Sequence, residues 1–493
     1  MISVQLLIVA VILFWIHFLW SRRHLYLLSL KLPGTWGLPI IGIAIECFLF
    51  YKRKIRMRSK YLRMNGSTIL TWLGTMPFVL TMDPKTAEDI FMSSSCVNRN
   101  WQAVSAFTHS FGHGLLTLQG SKWMERRKHM NVAFKPKILL SFLPIFNDEA
   151  RSLVSLFDSF VSQGEKDVLP DLLKWSFRIS AQTTMGTNVK EEKNLKNDTI
   201  MENFKTILNL ITINTLMPFF KIKMISKLFG LEKRLTRAYS PISEMMDNII
   251  NKKLHSKPEI TYNSESEMKI VVDKAIELFR KGEISFMELK SECNGMVVAS
   301  FETTAHTVYH TLVLLAMHPE CQERVFNEIK ELLPTAEDLE ITNEDLQKLV
   351  YLDRVLNEAL RLIPSIPIIT RDTMADLPLS NGVIVPKGVM IGVDIFSIHR
   401  NKDFWGPEAE KFNPDNFLPE KVSNRHPYAF IPFAKGKRNC IGWRYGLMSA
   451  KLALVKILTN YELSTSFRYE DLDFVDNMVI NLVKSPRLAF QRR

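Results

Sequence analysis

The stretch FAKGKRNCIG, Phe433 to Gly442, constrains this chain more than any other. One thiol, Cys440, sits among Gly436, Gly442 and the basic Lys435, Lys437 and Arg438, just before a helix-like run. A thiolate is a strong soft ligand, and helix N-termini favour anions. The two glycines would let backbone N–H groups approach the sulfur, and such donors tune a sulfur-ligated iron. Arg438 can neutralise a nearby carboxylate, and Phe433 can cover one face of a planar cofactor. A lone cysteine is ordinarily a small core residue. Here F-x-x-G-x-R-x-C-x-G fixes five positions, a coincidence expected on the order of once in 10⁴ chains of this length and average composition.

With 493 residues the chain can bury a large core or enclose a sizeable cofactor. Its net charge of +12 is compatible with an anionic membrane surface or an acidic protein partner. The charges form no long basic runs with interleaved aromatics, so nucleic acid ranks lowest. The five cysteines are odd in number and form no CxxC pair, which argues against a disulfide scaffold or a Cys-pair zinc site and for a reducing compartment. Ile2 to Trp20 is almost unbroken apolar sequence, long enough to cross a bilayer and longer than a typical signal-peptide core. Arg22 and Arg23 follow it and no Lys or Arg precedes it, which places the body on the cytosolic side. The triplets beginning at Asn65 and Asn197 should then stay unglycosylated.

These signals divide the chain into a membrane anchor over 1–24, a Pro/Gly-rich connector over 25–43 and one large domain over 44–493. Polar stretches near Lys190–Asn197 and Asn251–Ser266 read as exposed loops or helix ends. Helical periodicity dominates. Ile284 to His318 has no proline and one glycine, enough for a helix of roughly 50 Å. Pro319 suits the first turn of the next helix. A further helix is expected from Asp345 to Leu362, stopped by Pro364, then short β-type pieces to Phe417. Trp443–Asn460 reads as helix, followed by strand-like runs. The expected class is mainly α with small β-sheets, plus an N-terminal transmembrane helix.

The Cys440 stretch resembles the haem-binding loop of cytochrome P-450, the haem-thiolate monooxygenases. The resemblance extends along most of the chain and looks nearest to insect relatives of the fatty-acid hydroxylase branch. It implies a helix-rich haem domain, haem b as cofactor and Cys440 as the axial iron ligand. NEALRLIP is similar to the family's E-x-x-R element, here Glu358 and Arg361, which buttresses the cysteine loop. An ordinary helical ion pair has the same spacing. The partner motif P-x-R-F is Pro414-Asp415-Asn416-Phe417, with Asn416 in place of the arginine. Trp123 and Arg127 match W-x-x-x-R, whose side chains meet a haem propionate; a basic surface helix is the alternative. Arg371 stands where the family has another propionate contact, or is a surface strand residue. Ala299-Ser300-Phe301-Glu302-Thr303-Thr304 resembles the turn over the oxygen-binding face, with Glu302 and Thr303 as proton-relay candidates. Ser300 replaces the usual glycine, leaving a tighter groove or a hydroxyl in the water network. Ala299 replaces the glutamate that some members use to link haem covalently.

The chain has no Walker loop and no dinucleotide fingerprint. The resemblance therefore implies electrons from an NADPH-cytochrome reductase, with cytochrome b5 as a second donor, at the endoplasmic reticulum membrane. Lys435, Lys437, Arg438, Arg444, Arg126 and Lys128 form the expected basic docking face. His306 and His310 have a ligand-like spacing without the HExxH glutamate and are read as packing or solvent-facing. O₂ and an apolar substrate complete the expected reaction. Its rivals are a haem-thiolate isomerase or dehydratase of peroxides and a non-catalytic haem- or lipid-binding membrane protein. Trp101–Phe111, Ile211–Phe220 and Ile366–Ile369 are the expected substrate-facing segments.

Overall fold

The long proline-free run forms a single helix, Phe286–Met317, of 32 residues. Ser285 and Glu288 close a reciprocal capping box at its start. At 1.5 Å per residue it spans about 48 Å. The computed structural model describes residues 2–493 except 36, 39, 40, 51–52, 188–197, 217–222, 256–268 and 335–339. Asn197, the whole polar stretch Lys190–Asn197, the end of the expected substrate segment Ile211–Phe220 and most of the second polar stretch lie outside the described residues.

The central helix is apolar nearly all round its C-terminal half, and Leu312, Val313, Leu314 and Leu315 have no exposure at all. A helix of that pattern belongs inside a core. It packs along Leu169–Met185, Val271–Arg280, Val350–Leu362 and Trp443–Asn460. The helix over Trp443–Asn460 begins and ends where its periodicity places it. Pro319 opens the helix Pro319–Leu332.

The expected helix from Asp345 to Leu362 is instead two, Asn343–Lys348 and Val350–Leu362. Leu349 leaves helical geometry (φ −80°, ψ 78°) and is fully buried. The Glu328 carboxylate accepts the N–H groups of Tyr351 at 2.6 Å and Leu352 at 2.9 Å. A carboxylate from a neighbouring helix thus caps the second segment, a partner that periodicity cannot reveal.

The principal sheet has five strands in the order Gly34–Thr35, Thr68–Leu73, Met76–Thr81, Met390–Asp394, Ile368–Asp372. Every residue of Met390–Asp394 is buried, as expected for an interior strand. The residues read as a connector take part in this body. Leu25, Leu28 and Leu32 are buried in its core. Gly34 pairs with Leu70, so closely that a Cβ would lie 1.8 Å from the Leu70 carbonyl oxygen.

The apolar N-terminus forms the helix Ile2–Ser21, 20 residues long. Its side chains from Leu6 to Leu13 are exposed wherever they are large, Leu7 at 65%. Among the described residues no helix is long and apolar enough to cross a membrane. The side chains of Ile2 to Val4 lie outside them. The expected transmembrane helix is therefore met only as an exposed apolar helix at that position.

Candidate active site

Cys440 lies in the turn that precedes the helix Trp443–Asn460. Its N–H donates to the Phe433 carbonyl at 2.9 Å, which closes the loop on itself. Gly436 has φ +75°, and a Cβ there would sit 2.1 Å from the Phe91 carbonyl oxygen. Its glycine is demanded by that close approach, not by a donor to the sulfur. Gly442 differs: a Cβ would meet only Phe134 at 3.6 Å. Its contribution is its N–H, which bonds the Cys440 sulfur. Phe433 is half-buried and packs against the main core.

Cys440 has an accessible surface, unlike Cys47, Cys96, Cys293 and Cys321, which are buried. Yet burial is the largest influence on its thiol and raises its pKa; the Gly442 N–H, Arg127 and Arg99 act the other way. The residue thus keeps an accessible surface while the protein around it still holds its thiol away from bulk water.

Four guanidinium groups converge around this space. Arg127 donates to the Asn439 carbonyl at 3.0 Å and to its side-chain oxygen at 2.9 Å. Arg438 is buried against the Trp123 ring at 4.7 Å and donates to Gln119, Leu118 and Val97. Trp123 itself is 3% exposed. Arg371 is buried, which excludes a surface strand, and its backbone bridges Arg99. Arg99 was not legible as a site residue: it is an isolated arginine in a loop, and only long-range pairing brings it here. None of the four forms an ion pair with a carboxylate among the described residues. Burial first, then mutual repulsion, pulls Arg438 down to about 8 and Arg371 down to about 9. The Nε atoms of Arg99 and Arg438 are buried without a hydrogen-bond partner. Buried positive charge without a counter-ion is costly. The arrangement fits a planar group bearing two carboxylates beside a thiolate, which describes haem b.

Two of the expected docking cations are elsewhere. Arg438 is interior, as above. Arg126 is also buried and pairs with Glu292 and Glu288 of the central helix. Glu292 also accepts the Leu115 N–H at 2.9 Å. A charge in the helix Gly120–Met130 is thus spent on internal architecture. Lys128, Lys437 and Arg444 are exposed and Lys435 half-buried.

On the central helix, Ala299 is exposed although the residues before it are buried, so it faces internal space. The Thr303 hydroxyl donates to the Ala299 carbonyl at 2.9 Å. The Thr303 carbonyl accepts the hydroxyls of Thr307 at 2.8 Å and Ser365 at 3.4 Å. Burial pushes the Glu302 carboxyl up to about 8, and it has no side-chain partner among the described residues. The Ser300 hydroxyl is committed to protein partners: it bonds Ser180 and the carbonyls of Met296 and Val297, on the side packed against Leu169–Met185. A Cβ on Gly446 would lie 4.0 Å from the Thr304 hydroxyl, so the helix after Cys440 abuts the central helix at this turn. His306 and His310 are both buried, which settles them as packing residues and not solvent-facing ones.

Glu358 and Arg361 are fully buried and form a two-point ion pair, at 2.6 and 2.7 Å. Arg361 also donates to the carbonyls of His399, Ala409 and Lys411. His399 carries the connection onward. Its Nδ1 faces the Arg361 carbonyl at 3.2 Å and its Nε2 accepts the Ile431 N–H at 2.9 Å. Burial and the adjacent Arg361 hold this ring neutral, pulling it down to about 3. The pair therefore reaches the Cys440 loop through a histidine that sequence reasoning did not single out. The Asn416 amide donates to Glu358 at 3.1 Å.

The family model described as Cytochrome P450 matches residues 32–490. The chain is 59% identical to "Probable cytochrome P450 313a2" of Drosophila melanogaster over the full length of both. It is 54% identical to "Probable cytochrome P450 313a3" of the same organism over 99% of each. With "Cytochrome P450 4c3", also from Drosophila melanogaster, it shares 28% over 91% of this chain and 87% of that one.

Proposed function

The chain belongs to the cytochrome P450 family, monooxygenases that carry haem b on a cysteine thiolate, and from that premise we propose that it inserts one oxygen atom of O₂ into an apolar organic substrate with Cys440 as the iron ligand. The observation that carries this reading is the accessible thiol ringed by four arginines without a carboxylate partner. Bound haem supplies the iron at which O₂ is reduced and split.

The protein's own residues divide the remaining work. The Gly442 N–H, Arg127 and Arg99 favour the thiolate form of Cys440. Arg99, Arg127, Arg371 and Arg438, with Trp123, would hold the two propionates of a bound haem. Phe433 and Gly436 shape the loop. Glu302 is neutral at pH 7 because burial raises its pKa, so it keeps a proton to give. Thr303 orients that transfer from one residue along the same helix. A buried acid beside an alcohol is unnecessary for rearranging a peroxide, which favours the monooxygenase over the isomerase reading.

Residues 1–24 anchor the protein to the endoplasmic reticulum membrane, with the body, which includes the buried Leu25, Leu28 and Leu32 and the strand Gly34–Thr35, on the cytosolic face. The support for this is the run of exposed large apolar side chains from Leu6 to Leu13 on the helix Ile2–Ser21, a surface suited to lipid. Electrons come from an NADPH-dependent reductase, with cytochrome b5 as a second donor. Lys128, Lys435, Lys437 and Arg444 form the docking cations.

The test is the spectrum of the reduced carbonyl complex. Wild type should give a thiolate-type Soret band and Cys440→Ser should lose it. An imidazole-type band in wild type, or a normal band in Cys440→Ser, would refute the proposal.

A further inference from the structure

The buried pair Glu358–Arg361 holds the polypeptide between His399 and Ile431 in place, and Asn416 contributes only a neutral amide to it. A second guanidinium stands beside this pair. Arg425 donates through Nη2 to the Asn416 carbonyl at 3.0 Å and through Nε to the Phe404 carbonyl at 3.1 Å. Its charge lies 3.7 Å above the Trp405 ring, and that same ring receives Arg361 at 4.8 Å. Trp405 and Phe417 both pack on Phe430, the residue before Ile431. Arg425 is half-buried; burial and Arg361 disfavour its charge, whereas Glu358 favours it. Glu358 thus serves two cations, one in direct contact and one through the field.

We propose that Arg425 is a positioning residue that supplies, beside Glu358, the positive charge Asn416 does not carry, and so holds the loop that bears Cys440. It acts from nine residues further along the chain, by clamping the backbone of Asn416 itself. The consequence runs through Trp405 and Phe430 to Ile431, and from there to the Phe433 carbonyl that receives the Cys440 N–H. This inference rests on the haem-thiolate reading above.

The experiment uses the full-length, haem-loaded protein and follows conversion of the thiolate-type carbonyl spectrum to the thiol-type form on mild warming. Arg425→Gln should accelerate conversion roughly tenfold, the factor equivalent to about 1.4 kcal/mol. Arg425→Lys keeps the charge but cannot bond both carbonyls in a planar fork, and should fall between the two. The decisive variant is Asn416→Arg combined with Arg425→Gln, which moves the charge back into the 414–417 turn. It should return the rate to within about threefold of wild type, a recovery that a lost packing contact would not show. Should Arg425→Gln fail to load haem, restored loading in the double variant supports the proposal and continued failure overturns it. It is also overturned if Arg425→Gln converts at the wild-type rate, or if the double variant converts as fast as Arg425→Gln. Wild-type protein without a thiolate-type spectrum would instead defeat the functional reading, so the two failures are distinguishable.

Discussion

Replacing Glu302 by glutamine removes one titrating proton while keeping shape and hydrogen-bonding capacity. Burial raises this carboxyl from 4.5 to about 8. The folded state therefore holds its proton more tightly than the unfolded chain. The stability this contributes is full below pH 4.5 and is lost progressively as pH rises to 8. Between 4.5 and 7 the loss is about 1.4 kcal/mol per pH unit, or about 3.4 kcal/mol at pH 7 as an upper bound. Glu302 is partly accessible to the internal space, which reduces the figure to about half. Glutamine carries no such penalty. Urea unfolding of wild type and Glu302→Gln at pH 5, 6, 7 and 8 isolates it, because every other titration is common to both proteins. The glutamine variant should match wild type near pH 5 and gain on it steadily, by about 1–2 kcal/mol at pH 7. A difference that is flat with pH, or that favours wild type at high pH, would refute a raised carboxyl and with it a neutral proton donor at this turn.

Arg126→Ala should cost about 3–5 kcal/mol, because it leaves Glu292 buried and unpaired; the urea midpoint reads it, and Arg126→Ala with Glu292→Gln should recover much of the loss. Arg99→Ala should weaken haem retention during gel filtration by about tenfold or more, and retention equal to wild type would remove Arg99 from the propionate site. Acidic organic extraction should strip haem from the chain completely, since Ala299 offers no carboxylate for an ester; haem remaining on the denatured protein, seen by mass spectrometry, would contradict this. Deleting residues 1–24 should shift the protein from the membrane pellet toward the supernatant, and an unchanged distribution would argue against an anchor there.

Local patterns declared themselves in one dimension. The central helix and the helix Trp443–Asn460 were legible because an apolar face repeats with helical period and nothing interrupts it. Glu358 and Arg361 were legible as neighbours on one helical face, and as more than an ordinary ion pair only through the resemblance. Cys440 was legible because glycines, a cation and a thiol at fixed spacing have few uses together. The break at Leu349 was not, since the carboxylate that caps the following helix belongs to Glu328. Neither was the burial of Arg126, whose partner is 166 residues away.

The chain's order thus carried the helical class and the Cys440 motif, and through the family resemblance it pointed to Glu302 and Thr303, because each of these signals is written in residues within one or two turns of one another. Tertiary structure decided which charges converge on the candidate site. Arg99 and Arg371 meet through a strand bridge, His399 joins the buried ion pair to the cysteine loop, and Arg425 reaches back over Asn416. Those assignments depend on who lies opposite whom in a low-dielectric interior, where an unpaired charge is too costly to leave to chance, and spacing along a sequence carries no record of that.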